Sequence, residues 1–122
     1  MSKLSPVQTR ERFLNAINME VEELEAWLAT EASQSTGWAN GAPKRKSGGP
    51  ESVGHASGRR IVVMLRKKPV ELSEGDYAHM RKVVGFIHRH VVQRPRGDIT
   101  HTRWRYSLMN WGHDPLKYTV ED

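Results

Sequence analysis

Cysteine is absent from this sequence, which excludes disulfides, Cys-ligated zinc, iron–sulfur clusters and thiol catalysis together. Long apolar runs are missing too. None approaches the ~18 residues of a membrane span, and the opening Met1-Ser2-Lys3-Leu4-Ser5-Pro6 lacks the apolar stretch of a signal peptide. Nothing alternates with period two for long enough to build a sheet. The expectation is a soluble, intracellular, all-α protein. Its 122 residues, 37% of them hydrophobic, favour a single domain with a modest core.

Recognisable catalytic and metal-binding patterns are equally scarce. Six His invite a metal reading, but His88 and His90 differ by about 200° around a helix and cannot chelate together, and no other His pair has i, i+4 spacing. Gly48-Gly49-Pro50 lacks the Lys-Ser/Thr that completes a phosphate-cradling loop. His113-Asp114 beside Asn110 has the residue types of a hydrolytic site, yet it stands at a helix end before Pro115, where such residues cap and turn. No catalytic residue, metal or cofactor is assigned, and no enzyme activity is expected.

What is present reads as about five helices. Ser5-Pro6-Val7-Gln8 is a capping box with Pro at the first helical position, opening a helix over 6–17 with Val7, Leu14 and Ile17, and Phe13 beside them, as its stripe. Asn18 is placed to cap a second, over 20–32, whose Val21, Leu24, Trp27 and Leu28 repeat the helical period behind an acidic first turn. The two form an acidic helical hairpin. Over 33–49 periodicity vanishes among Gly and Pro around Lys44-Arg45-Lys46, which predicts a mobile basic loop. A basic three-helix segment follows over 50–117. The first of its helices, opened by Pro50, places Val53, Ser57, Ile61, Met64 and Leu65 on one face. Gly54 and Gly58 weaken it, and close helix packing explains them better than approach of a ligand. Ser73 and Asp76, with Leu72 and Tyr77 as a hydrophobic staple, open the next, carrying Met80, Val84, Ile87 and Val91 and ending before Pro95. Asp98 is placed to cap a last helix over 99–110 that aligns Trp104, Leu108 and Trp111, with Gly112 as its stop.

Charge is distributed unevenly along the chain. The formal net charge is +5, but residues 1–32 hold three basic and six acidic side chains, and the remainder holds 16 basic against eight acidic. Segregation of this kind is less typical of a merely solvated surface. Arg81, Lys82 and Arg89, with His88 among them, lie opposite the apolar stripe of their helix, a cationic face suited to phosphates. Lys44, Arg45, Lys46, Arg59, Arg60, Arg66, Lys67, Arg94, Arg96, Arg103 and Arg105 extend the candidate surface. Trp104 in Arg103-Trp104-Arg105-Tyr106 reads as core, and Tyr106, off that stripe, is the better candidate for base stacking.

Three phrases carry a resemblance: Glu51-Ser52-Val53-Gly54-His55-Ala56-Ser57-Gly58-Arg59-Arg60-Ile61; His79-Met80-Arg81-Lys82-Val83-Val84 with Arg89-His90 and Gln93-Arg94-Pro95; and Trp104-Arg105-Tyr106-Ser107-Leu108-Met109-Asn110-Trp111-Gly112-His113-Asp114-Pro115-Leu116-Lys117. Over 13–117 the chain resembles a small family of uncharacterised bacterial and fungal proteins, some labelled DNA-binding protein. The resemblance implies nucleic-acid contact and brings no catalytic residues with it. The resulting expectation is a small helical bundle that binds DNA, or RNA, through phosphates with little base readout, in the cytoplasm, or at the nucleoid or nucleus where DNA binding holds. It has no membrane partner. The alternative is a protein-interaction module, with an acidic partner or as a homodimer, docking complementary acidic and basic patches.

Overall fold

The computed structural model describes residues 4–117. Six α-helices account for most of them: α1 (Pro6–Ala16), α2 (Val21–Leu28), α3 (Glu31–Gln34), α4 (Val53–Leu65), α5 (Glu74–Val91) and α6 (Arg103–Asn110). Between α3 and α4 the strands β1 (Trp38–Ala39) and β2 (Ala42–Pro43) form an antiparallel pair, Trp38 opposite Pro43. No helix among the described residues is long and apolar enough to cross a membrane. The architecture is the small all-α bundle expected, with one more helix and a minimal hairpin.

Local capping chemistry starts the helices. The Ser5 hydroxyl accepts the Gln8 N–H at 3.1 Å while Gln8 accepts the Ser5 N–H at 2.9 Å, so two otherwise orphaned donors are satisfied reciprocally. Ser73 and Asp76 repeat the exchange at α5. Other boundaries differ from expectation. Glu20, paired with Glu23, caps α2, because Asn18 is engaged elsewhere, exchanging two hydrogen bonds with the Asp114 backbone. The helix expected over 20–32 breaks at Thr30, whose hydroxyl accepts the Ser33 N–H and begins α3. Likewise Thr102, not Asp98, caps α6; the Asp98 carboxylate instead accepts the Thr100 N–H and hydroxyl in the preceding turn.

One cluster of buried side chains joins Phe13, Ile17, Leu24, Leu28, Ile61, Met64, Met80, Val83, Ile87 and Leu108. Around it α1 lies along α5 and α2 along α4, while α6 touches the helices on both sides. The expected packing of the first two helices as a hairpin is therefore corrected. The stripe on α1 shifts as well. Thr9 and Phe13 face inward while Val7 and Leu14 are exposed, since a buried polar Thr conceals the inner face from an apolar count. On α5 the buried line is Met80, Val83 and Ile87, with Val84 only half-buried and Val91 exposed. On α4 Val53 turns outward.

The two glycines of α4 are explained by packing. A Cβ on Gly58 would stand 2.5 Å from the Asn110 carbonyl oxygen and 2.7 Å from Leu28 Cδ2, and one on Gly54 would stand 2.9 Å from Trp111 Nε1. Only a missing side chain lets α4 approach α6 this closely.

The segment 33–49, expected to be a mobile basic loop, carries defined local structure. It completes α3 and forms the β1–β2 turn, with Asn40 and Gly41 both at positive φ, the type I′ geometry that Asn-Gly favours. Lys44, expected to be a solvated phosphate ligand, is only 8% exposed. Its amine donates to the carbonyls of Gly48 at 3.0 Å and Pro50 at 2.6 Å, tying the loop to the entry of α4.

Candidate nucleic-acid interface

α5 is the most complete element of the candidate surface because its inward face is fully occupied. Met80, Val83 and Ile87 are buried, leaving Arg81, Lys82, His88 and Arg89 exposed on other faces. Among the described residues none of Arg81, Lys82 and Arg89 makes an ion pair. A cation with no internal partner keeps its full charge for an anion from outside.

Much of the remaining basic set is committed within the fold. Arg59 grips the Glu51 carboxylate with two hydrogen bonds of 2.7 and 2.6 Å, holding that carboxyl down to about 2 despite partial burial. Glu51 also meets His55 Nδ1 at 2.5 Å, and His55 Nε2 faces the Leu28 carbonyl at 2.8 Å. Lys67 and Arg60 both reach the buried Asp76. Lys67, then the Ser73 N–H, hold its carboxyl well below the usual carboxylate range. Arg66 forks onto Glu25 of α2. Arg105 is half-buried, gripping Asp114 with two bonds of 3.0 Å and donating to the Thr100 carbonyl. Arg103 donates to the Ser35 carbonyl at 3.2 Å. Positions that look equivalent in a charge count are thus unequal in space. Arg45, Lys46 and Arg96 remain exposed and unpaired among the described residues, and Arg94 lies over the Trp104 ring, 5.6 Å from its centroid.

Beneath the charge runs a column of aromatic rings. Phe86 stacks on Trp111 at 4.3 Å and on His90 at 5.0 Å, and His79 and Trp104 extend the column at either end. Burial pushes the pKa of both His79 and His90 down, so the column is neutral at neutral pH. Trp104, read as core, is half-buried here and its indole N–H donates to the His90 carbonyl at 2.7 Å. Tyr106, the expected stacking residue, instead packs its ring 5.3 Å from that of Trp27 and is half-buried. His88 and His90 point to different faces, one to solvent and one into the column, as their spacing requires. His113 Nδ1 meets the Ala16 carbonyl of α1 and Asp114 holds Arg105 of α6; these residues fasten the turn after α6 to the bundle.

Between the β-turn, the start of α4, α5 and α6 opens a cleft of about 340 Å³. Lys82 and Arg89 line it together with Trp38, Phe86 and Trp111. Trp38 is 58% exposed. The charge count locates the two cations but not the cleft, since Trp38 lies in a segment that reads as featureless. A second cleft of about 310 Å³ is lined by Lys44, Glu51, His55 and Arg59, whose polar groups are already engaged with one another or with backbone carbonyls.

The fold and this face define a small all-α protein whose longest helix presents uncompensated positive charge beside an aromatic-walled cleft. The chain belongs to the family described as Protein of unknown function (DUF3140), whose model matches residues 12–109, from α1 through most of α6. No curated protein and no solved structure matches it.

Proposed function

We propose that the protein binds nucleic acid, DNA foremost, through phosphate contacts made by the exposed face of α5. The observation that carries this reading is the group of three exposed cations, Arg81, Lys82 and Arg89, without an ion-pair partner among the described residues. Each neutralised phosphate releases condensed counterions, so unpaired cations convert directly into affinity. Arg59, Arg66 and Arg105 contribute less, because a phosphate must compete with a carboxylate already in place. The nucleic-acid contact that the sequence resemblance implies points the same way. So does the state of the acidic helix: Glu23 pairs with Lys117 and Glu25 with Arg66, which spends part of the negative patch that a protein-docking module would present.

The test is an electrophoretic shift with duplex DNA at two salt concentrations. Affinity falls with log salt at a slope of roughly −0.9 per phosphate contacted. Replacing Arg81, Lys82 and Arg89 together by Gln leaves the fold intact, weakens binding and makes the slope shallower by roughly one for each phosphate no longer engaged. Folded wild-type protein that shifts no nucleic acid at low salt overturns the proposal.

A further inference from the structure

We infer that the cleft beside Trp38 takes an unpaired nucleobase, so that the preferred ligand of this face is a single strand. The inference rests on the phosphate-binding reading above and specifies its ligand.

Trp38 is the first ground. An indole left mostly in water offers a free face on which a base can stack, and here it stands on a hydrogen-bonded turn. The Asn40-Gly41 turn closes the hairpin tightly, the Lys44 N–H donates to the Gly37 carbonyl at 2.8 Å, and the buried Lys44 amine anchors the following loop. A backbone ordered in this way before binding lowers the cost of ordering it on binding. Charge is the second ground. Lys82 and Arg89 stand seven residues apart on α5, about 10 Å along its axis, and both line the same cleft as Trp38, with no carboxylate among the lining residues. A base carries a π-face and its backbone carries phosphates, so one nucleotide chain satisfies both features. Single-strand sites combine a cationic groove with aromatic platforms in this way. A duplex offers only the phosphates, since its bases are already stacked.

Fluorescence anisotropy of labelled dT12, rU12 and a 12-base-pair duplex, titrated with the full chain at low salt, tests this. The expected result is tighter binding of at least one single strand than of the duplex, with quenching of tryptophan emission. Trp38→Ala lowers single-strand affinity by roughly tenfold to a hundredfold, the range for loss of one stacked base. It leaves duplex affinity and the thermal unfolding midpoint essentially unchanged, and Trp38→Phe restores part of the loss. Lys82→Gln with Arg89→Gln weakens all three ligands and flattens their salt dependence. Duplex binding equal to or tighter than single-strand binding, or single-strand binding indifferent to Trp38→Ala, overturns the inference and leaves the phosphate reading standing. Absence of binding to all three overturns both.

Discussion

Replacing Gly58 by Ala tests the closest helix contact in the fold, because two opposing effects of known size meet at one atom. In an isolated helix the change stabilises by about 1 kcal/mol. Here the added Cβ would lie 2.5 Å from the Asn110 carbonyl oxygen and 2.7 Å from Leu28 Cδ2. The carbonyl belongs to α6 and cannot swing aside, so α4 must move away from α6 and α2. Overpacking of that kind costs about 1–3 kcal/mol, and contact with backbone places it at the upper end. The net expectation is destabilisation by about 2 kcal/mol, a fall of roughly 6–10 °C in unfolding midpoint for a chain of this size. Gly85→Ala on α5 is the internal control. Its Cβ meets only Arg89 Nη1, at 2.9 Å, the far end of a flexible side chain on a solvent-facing residue. The helix-propensity gain then survives, and the variant is more stable by about 0.5–1 kcal/mol. Urea unfolding followed by far-ultraviolet circular dichroism measures both. Equal stabilisation by the two substitutions refutes the seating of α4 on the α6 backbone.

Two further substitutions address the charged and titratable groups. Asp76→Asn removes the carboxylate shared by Lys67 and Arg60; a carboxyl whose pKa is lowered by folding stabilises above its unfolded value, near 4, and that contribution is lost as pH falls through the folded value. The variant is therefore less stable at pH 7 by about 1–2 kcal/mol, and its urea midpoint falls less than that of the wild type between about pH 5 and pH 2; parallel pH profiles refute this. His90→Phe replaces a ring kept neutral by burial, whose Nε2 has no hydrogen-bond partner among the described residues. Because the native state resists protonating it, wild-type stability drops as pH falls below the unfolded value, near 6.5. The variant gains more, relative to wild type, at about pH 5.5 than at about pH 7.5, and a gain independent of pH refutes the assignment.

Features legible in the sequence were those decided within one helical turn. Ser5 with Gln8 and Ser73 with Asp76 satisfy backbone donors three residues away, so their boundaries emerge without knowledge of the rest of the chain. The boundary between Asp98 and Thr102 was not legible, because both are good capping residues. Interactions formed on folding bear on that choice: Arg105 reaches back to the Thr100 carbonyl and across to Asp114, and Trp104 bonds to the His90 carbonyl. Lys44 misled for a different reason. A lysine among glycines reads as solvated, and only the folded loop brings two carbonyls to its amine. Asn110 was equally hidden: its side chain is buried where it accepts from the Trp27 indole at 2.8 Å and the Ser33 hydroxyl at 2.6 Å, both about 80 residues away.

The same distinction governs the charge. Segregation along the sequence suggested one broad cationic surface, yet Arg66 finds Glu25 across 41 residues and Arg60 finds Asp76 across 16. Pairing makes those cations poor phosphate ligands, since a phosphate gains only the difference between its own attraction and that of the carboxylate it displaces. On α5 no acid follows Asp76, and the helix turns its apolar side to the core. Arg81 and Lys82 have no ion-pair partner among the described residues. An anion meets their full charge there, whereas at Arg59, Arg60, Arg66 or Arg105 it must compete with a carboxylate already in place. Residual charge therefore locates the candidate site better than total charge, and it places two of the unpaired cations at the cleft that also exposes Trp38.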